Sequence, residues 1–277
     1  MKFSKYHGAG NDFIIVNNQD KGIDESNKSG LAKKLCDRHF GVGGDGLIFA
    51  ETSEIVDVKM RIFNPDGSEA EMCGNGIRCL GRYLYDTGLE GMELLVETVA
   101  GTKRMIFEEA ENGELSISVE MGAVEDYTLN QELDIDGVKW EYTFLDTGVP
   151  HVVVFVNDIE KAPVKSIAPI IRRHPNFPKG ANVNFVEKID DVTFKIRTYE
   201  RGVEEETFAC GTGISAGGAA AVLKGYGLSD KELLFKATGG NVFITVNKTS
   251  GGEIKILMKG GADFVFNGEI PVIDTIK

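Results

Sequence analysis

The chain carries the same cysteine- and glycine-rich motif twice, and this repeat limits the folds open to it more than any other feature. From Cys73 the sequence reads CGNGIRCLGRYLYDTG, and from Cys210 it reads CGTGISAGGAAAVLKG. One cysteine, four glycines and one isoleucine recur at the same offsets. MRIFN before the first motif resembles IRTYE before the second, and GNDFIIVN resembles VPHVVVFVN further upstream. Because these matches keep their order along the chain, they indicate a duplicated half rather than a short-period solenoid.

Strands and a few helices surround the two motifs. Alternating β-branched and aromatic residues predict strands, and we expect them at 13–17, 47–51, 56–63, 92–98, 114–121, 139–145, 151–156, 192–199, 241–247, 253–259 and 263–272. Helical spacing predicts a first helix over about 29–39, with Leu31 and Leu35 on one face and Gly41 at its end. Two further helices are expected just after Cys73 and Cys210.

These elements predict an α+β fold of two similar domains related by a pseudo-two-fold axis. Each domain is expected to be a curved, mostly antiparallel sheet or barrel around one central helix. The first domain is predicted over 1–117 and the second over 118–262. The last segment, 263–277, is expected to return and complete the first sheet.

Charge and composition exclude several classes of protein. With 30 basic and 43 acidic residues the net charge is −13, which disfavours nucleic acid and anionic membranes as partners. No apolar run approaches the roughly 20 residues that span a bilayer, and the N-terminal MKFSKYHGAGNDF is too polar for a signal peptide. Four cysteines in 277 residues do not form a disulfide scaffold. We therefore expect a soluble, cytoplasmic protein with reduced thiols.

The duplicated motif places a thiol at the start of a helix in each half. The glycines leave backbone N–H groups uncovered, and such a helix start binds anions and favours a thiolate. A pseudo-two-fold axis would bring the two starts together, with two thiols facing each other across a cleft. This arrangement suits inversion of a stereocentre α to a carboxylate, in which one thiolate removes the Cα proton and the opposite thiol returns one.

Other uses of these residues are less favoured. Cys36 and Cys79 have no counterpart in the repeat and fit small buried hydrophobic residues. GVGGDG at 41–46 is followed by a predicted strand and not by a helix, which argues against a dinucleotide site. The sequence has no paired CxxC spacing, which disfavours a zinc site and thiol redox chemistry. Acyl transfer would need a dedicated His or Asp partner for one of the cysteines. We expect no cofactor and no metal.

The chain resembles the diaminopimelate epimerases, a cofactor-independent family whose superfamily includes proline racemases and a phenazine-pathway isomerase. The matching segments are HGAGNDF at 7–13, RHFGVGGDG at 38–46, NPDGSEAEMCGNGIRC at 64–79, TGVPH at 147–151, NVNFV at 182–186 and YERGVEEETFACGTG at 199–213. The resemblance implies epimerisation of LL-diaminopimelate to the meso form by two thiols, in lysine and peptidoglycan-precursor biosynthesis. A racemase of lysine, histidine or proline type is the alternative.

The resemblance also implies roles for individual residues. Cys73 and Cys210 would be the acid–base pair, and His151 would lie near the site. Residues expected to bind the substrate, itself a small amino acid, are Asn11, Asn64, Gly74, Asn75, Asn184, Glu200, Arg201, Gly211 and Thr212. Val149 and Gly46 stand where relatives often carry Asn and Gln, which leaves the strictness for diaminopimelate open. A homodimer is also left open.

Overall fold

Each copy of the motif opens a helix that is packed inside its own β-sheet. The computed structural model describes residues 1–271; positions 272–277, the end of the expected returning segment, lie outside the described residues. The chain divides into two compact units, Met1–Val119 with the chain from Gly260 onward, and Glu120–Lys259. None of the helices in the described part of the chain is long and apolar enough to cross a membrane.

The strands, in chain order, are β1 (Lys2–Gly8), β2 (Asn11–Asn17), β3 (Gly46–Glu51), β4 (Val58–Phe63), β5 (Glu69–Ala70), β6 (Glu93–Thr98), β7 (Gly101–Glu109), β8 (Leu115–Ala123), β9 (Asp126–Ile135), β10 (Val138–Asp146), β11 (Pro150–Val156), β12 (Asn182–Lys188), β13 (Thr193–Glu200), β14 (Glu205–Thr207), β15 (Glu232–Ala237), β16 (Gly240–Lys248), β17 (Ile254–Gly260) and β18 (Asp263–Glu269). The α-helices are α1 (Glu25–Cys36), α2 (Gly74–Asp86), α3 (Val164–Arg172) and α4 (Gly211–Leu223).

The two units have the same strand connectivity. In the first unit the strands pair in the order β18-β1-β2-β3-β4-β6-β7-β8, with β5 added to β4. In the second unit they pair in the order β9-β10-β11-β12-β13-β15-β16-β17, with β14 added to β13. Two pairs in each unit are parallel and occupy corresponding places, β2–β3 and β4–β6 against β11–β12 and β13–β15. The mostly antiparallel, duplicated α+β architecture predicted from the sequence is thereby confirmed.

Small residues allow both motif helices to approach the sheet closely. Gly81 and Gly218 stand at the same offset from their cysteines. A Cβ at Gly81 would lie 3.1 Å from Met105 Sδ, and one at Gly218 would lie 2.5 Å from Ile244 Cγ2. Met105 belongs to β7 and Ile244 to β16, which are corresponding strands. The shared glycine therefore reflects close contact between helix and strand in both units.

The first helix differs from its expected bounds. It begins at Glu25 and ends at Cys36, whereas the sequence predicted 29–39. The Asp37 carboxylate accepts N–H bonds from His39 and Phe40, and this local turn ends the helix before Gly41. Gly41 is required for a different reason, since a Cβ there would lie 2.2 Å from the Lys34 carbonyl oxygen.

Candidate active site

Cys73 and Cys210 are the N-caps of α2 and α4. Both have extended backbones, with φ/ψ of −140°/119° for Cys73 and −107°/110° for Cys210, so each thiol lies beside the first helical turn. Cys73 Sγ accepts the Gly76 N–H at 3.5 Å, and Cys210 Sγ is 3.4 Å from Thr212 Oγ1. The predicted position of a thiol at each helix start is therefore what the structure has.

The two helix starts have the properties of anion sites. Their first-turn N–H groups have no partner within the helix, and neither first turn contains an acidic side chain. Gly74 and Gly211 add no side chain that could cover these groups. Each unit can thus offer backbone donors and a thiol to one carboxylate-bearing substrate.

A hydrogen-bonded network surrounds Cys73. Asn11 Oδ1 lies 3.7 Å from Cys73 Sγ and accepts the Asn75 amide at 3.4 Å, while Asn11 Nδ2 donates to Asp45 at 2.6 Å. Arg78, which is fully buried, donates to Asn75 Oδ1 at 2.8 Å. The structure thus brings together Asn11, Asn75 and Cys73, three of the predicted site residues. It adds Asp45 and Arg78, which the sequence analysis did not select even though both lie within the quoted motifs.

Asn64 and Glu200 occupy corresponding places, directly after β4 and at the end of β13. Asn64 binds within its own turn, with its N–H donating to the Ser68 carbonyl at 2.8 Å and its Nδ2 to Ser68 Oγ at 3.0 Å. Glu200 is half-buried, and its carbonyl accepts the Glu204 N–H at 2.9 Å. Their roles in binding substrate stay predictions.

Asn184 and His151 lie beneath α4 and are fully buried. Asn184 Nδ2 donates to the Val152 carbonyl and to His151 Nδ1, both at 3.2 Å, and Asn184 Oδ1 accepts the Thr198 hydroxyl at 2.9 Å. Because His151 Nδ1 accepts, its ring proton is on Nε2. Burial, with a smaller effect of Arg201, lowers the pKa of His151 to about 3, so the ring is neutral.

Asn184 also explains why the second motif needs its second glycine. A Cβ at Gly213 would lie 2.3 Å from Asn184 Oδ1. Asn184 therefore supports the underside of the first turn of α4, with both amide atoms bonded inside the protein. Its expected contact with substrate is untested, and its observed contacts are structural.

Arg201 follows β13 and is half-buried. Its N–H donates to Asn182 Oδ1 at 2.8 Å, and its guanidinium donates to the Lys179 carbonyl at 3.1 Å. Neither contact is to a carboxylate, and the planar guanidinium is suited to bind a carboxylate of a ligand in two-point fashion.

Gly46 and Val149 are the two positions at which the sequence analysis expected a departure from the resembled family. Gly46 is buried in β3, where a Cβ would lie 3.2 Å from the Phe13 ring and from the Phe63 carbonyl oxygen. A long side chain at position 46 has no room against Phe13 in this chain. Val149 is half-buried and has an apolar side chain that can form no hydrogen bond.

Cys36 and Cys79 are buried, as expected from the sequence. Cys36 is 2% exposed and Cys79 is fully buried. Burial raises the pKa of Cys36 to about 12 and raises that of Cys79 well above its usual range. Both stay protonated at neutral pH and are unsuited to acid–base chemistry.

Comparisons with known proteins show what this chain is similar to. The family described as "Diaminopimelate epimerase" matches residues 3–126 and 143–265. A diaminopimelate epimerase of Acetivibrio thermocellus is 41% identical over 98% of both chains, and one of Methanococcus maripaludis is 39% identical over 98% of this chain and 100% of its own.

Solved structures share the fold at lower identity. A PhzF-family phenazine biosynthesis protein of Bacillus anthracis superposes with a TM-score of 0.80 at 22% identity, over 98% of this chain and 99% of that one. A hydroxyproline epimerase of Agrobacterium vitis has a TM-score of 0.72 at 17% identity, over 99% of this chain and 93% of that one.

Proposed function

Because the chain belongs to the diaminopimelate epimerase family, and is therefore an isomerase of lysine biosynthesis, we propose that Cys73 and Cys210 carry out its acid–base chemistry. The enzyme converts LL-diaminopimelate to the meso form. The observation that carries the proposal is the repeated placement of a thiol at a glycine-rich helix start, once in each unit.

In the proposed reaction, one thiolate removes the Cα proton of the substrate and the other thiol protonates the opposite face. The carboxylate next to Cα gains negative charge when the proton leaves. The N–H groups around Gly74, Asn75, Gly211 and Thr212 would stabilise that charge. No pyridoxal phosphate or metal takes part in these steps.

The free energies that these groups can supply require them to act together. One helix terminus stabilises a charge by about 0.3–2 kcal/mol, and a positioned acid or base contributes about 10²–10⁴-fold. Enzymes lower activation barriers by roughly 8–23 kcal/mol. Two thiols and two helix starts that act on the same substrate come closer to this range than either half alone.

Substrate recognition is proposed to use the remaining predicted residues. Arg201 would bind the distal carboxylate, Glu200 an ammonium group, and Asn11 and Asn64 the remaining polar groups, while Asn184 and His151 would support the start of α4 from beneath. The guanidinium of Arg201, whose described hydrogen bond is to the Lys179 carbonyl and not to a carboxylate, and the polar character of the others support these roles. Val149 cannot hydrogen-bond to the substrate, so we expect some slow racemisation of lysine beside the main reaction.

The test is proton exchange with solvent. Purified protein is incubated with LL-diaminopimelate in D₂O, and samples are separated by chiral chromatography and analysed by mass spectrometry. We expect meso product with one deuterium at the inverted Cα, and recovered LL substrate that has little deuterium at early times, because each thiol serves one face. Equal early labelling of substrate and product would contradict the two-base mechanism.

We also propose that the enzyme works in the cytoplasm as a homodimer. A requirement for two reduced thiols supports the first point. The homodimer is supported by strand β18, in which Phe264, Val265 and Phe266 are 45%, 47% and 42% exposed. Apolar side chains on both faces of this strand therefore contact solvent. Light scattering should give twice the chain mass, and Val265→Lys should give a monomer; a monomeric unaltered protein would contradict this.

A further inference from the structure

The side chain of Asn11 is held between a carboxylate and a thiol. Its Nδ2 donates to Asp45 Oδ2 at 2.6 Å, and its Oδ1 faces Cys73 Sγ at 3.7 Å. A carboxylate only accepts hydrogen bonds, so the Asn11 atom that faces Asp45 must be the nitrogen. It follows that the amide oxygen, and not the amide nitrogen, is turned toward the thiol.

The opposite end of the network imposes the same orientation. Arg78 only donates, and its Nη2 donates to Asn75 Oδ1 at 2.8 Å. The Asn75 nitrogen is thereby turned toward Asn11 Oδ1, at 3.4 Å. An acceptor at one end and a donor at the other thus agree on how both amides are oriented, which removes the usual ambiguity of such side chains.

Asp45 is itself held in place. Its Oδ2 also accepts the Asp12 N–H at 3.2 Å, and its Oδ1 accepts from Arg38 Nη2 at 2.6 Å. Arg38 is shared with Asp12, which it also contacts at 2.7 Å. The carboxylate is therefore fixed by a backbone donor and a guanidinium while it holds Asn11.

The second unit lacks this network. Strands β3 and β12 begin at Gly46 and Asn182, which pair with Phe13 and His151 respectively, and this register aligns the two units. The residues at the positions of Asn11, Asp45, Asn75 and Arg78 are then Val149, Ala181, Thr212 and Ser215. None of them has a carboxylate, an amide or a guanidinium, so the network acts on one thiol only.

We propose that Asp45 is a positioning residue of the epimerisation: by orienting Asn11 it presents a carbonyl oxygen to Cys73 and favours the protonated thiol there, but not at Cys210. The oxygen accepts the S–H of a thiol and repels a thiolate. Gly76 N–H and the Arg78 guanidinium act in the opposite direction on Cys73, as does the start of α2. This proposal rests on the proposed role of Cys73.

The test measures the reactivity of the two thiols separately, without any substrate. The unaltered protein, Asp45→Ala and Asp45→Asn are alkylated with iodoacetamide across a pH series, and mass spectrometry gives the rate at Cys73 and at Cys210. In Asp45→Ala the Asn11 nitrogen loses its acceptor, and only the 3.4 Å contact from Asn75 still turns the Asn11 oxygen toward the sulfur, so the amide is held less firmly. The pH at which Cys73 reaches half of its maximal alkylation rate, its midpoint, should then fall by about 0.5–1 unit. This corresponds to roughly three- to tenfold more thiolate.

The Asp45→Asn variant distinguishes the orientation of Asn11 from the negative charge of Asp45. Its side-chain oxygen can still accept from Asn11 and from the Asp12 N–H, so the Cys73 midpoint should stay close to that of the unaltered protein. Cys210 in the same molecule is the internal control and should not move. Glu97→Ala removes a carboxylate of the same unit that is bonded to Lys59 and Ser53, outside the network, and it should leave Cys73 unchanged.

Three results would overturn the proposal: no movement of Cys73 in Asp45→Ala, equal movement in both Asp45 variants, or movement of both thiols together. Asn11→Ala, which removes the oxygen itself, gives a second route to the expected shift if Asp45→Ala does not fold. The alkylation experiment needs no turnover. A failure of the deuterium experiment would therefore not affect the alkylation result, and a failure of the alkylation experiment would not affect the deuterium result.

Discussion

At the scale of single residues, the two motif helices lie on chemically different supports. Beneath α2, a Cβ at Gly76 would meet Ile62 Cδ1 at 3.1 Å and Ile48 Cδ1 at 3.3 Å. Beneath α4, the corresponding support is Asn184, bonded to Thr198 and to His151. An apolar pair in one unit is thus a buried polar network in the other, in which His151 Nε2 has no hydrogen-bond partner among the described residues.

Because of His151, we expect the free energy of unfolding to depend on pH. The pKa of His151 is about 3 in the folded protein, below its usual value of about 6.5 in an unfolded chain. Below pH 6.5 the unfolded state therefore binds a proton that the folded state does not. The free energy of unfolding should fall by about 1.4 kcal/mol per pH unit from pH 6 toward pH 4.5. Urea titrations should show this slope, and it should be reduced in His151→Gln, which stays neutral; an unchanged slope in the variant would contradict the assignment.

We expect Arg201 to determine the preference for a substrate with two amino-acid ends. Arg201→Ala removes a charge-assisted contact to the distal carboxylate, which lysine lacks. The ratio of kcat/KM for diaminopimelate to that for lysine should fall about 10- to 100-fold. Arg173→Ala is the control, because this exposed arginine pairs with Glu204 and is given no role in binding. A ratio that falls equally in both variants would remove Arg201 from the site.

At the scale of elements, the sequence predicted most strands and all but one of the α-helices. The strands it missed are β1, β5, β7, β9, β12, β14 and β15, and in three of them polar residues obscure the apolar pattern. β9 is largely exposed and polar, and β1 buries Lys5, whose charge is compensated by Asp12. β12 buries Asn182 and Asn184, whose partners come from distant parts of the chain. Helix α3 contains Pro169, and an internal proline argues against a helix in the sequence.

The sequence also indicated where to look for the candidate site. The thiols were accessible to sequence analysis because the repeat marks them twice. The roles of Asp45 and Arg78 were not, since they depend on contacts between segments that lie far apart in sequence: Asn11 with Asp45, and Asn75 with Asn11. Likewise, nothing in the local sequence shows that Asn184 is bonded beneath α4.

The different supports of the helices predict different tolerance of the same substitution. Gly213→Ala places a methyl group against the Asn184 oxygen, which is fixed by Thr198, so about 1–3 kcal/mol of stability should be lost. Gly76→Ala meets the flexible ends of two isoleucines and, at 3.4 Å, the Cβ of Cys73, which is ordinary van der Waals contact. Alanine is the better helix former by about 1 kcal/mol. Gly76→Ala should therefore be nearly neutral. Chemical denaturation of both variants checks the ranking, and equal losses would contradict it.

At the scale of the whole molecule, the chain uses its last described strand to complete its first unit. The outer partner of β10 is β9, which directly precedes it, whereas the outer partner of β1 is β18, from the other end of the chain. Arg78 and Arg82 of α2 also donate to the carbonyls of Gly261 and Ala262. The first unit therefore cannot complete its sheet until nearly the whole chain has been synthesised.

The two-thiol proposal predicts a specific cross-link. If one thiol of each unit acts on the same carbon, the two sulfurs must be able to approach each other in the working enzyme. Mild oxidation should therefore form a Cys73–Cys210 disulfide with loss of activity, restored by reductant, while buried Cys36 and Cys79 remain free. Peptide mapping identifies the link. An oxidised, inactive sample in which Cys73 and Cys210 are not joined would show that they lie farther apart than the mechanism needs.

The most direct test of the account compares turnover of LL-diaminopimelate by Cys73→Ala, Cys210→Ala and the double variant. Groups that act as a pair lose their effect together, so each single variant should be as inactive as the double one, at least about 10³-fold below the unaltered protein. Circular dichroism confirms that all three are folded. Turnover within about tenfold of the unaltered protein in either single variant would contradict the claim that one thiol from each unit forms the acid–base pair.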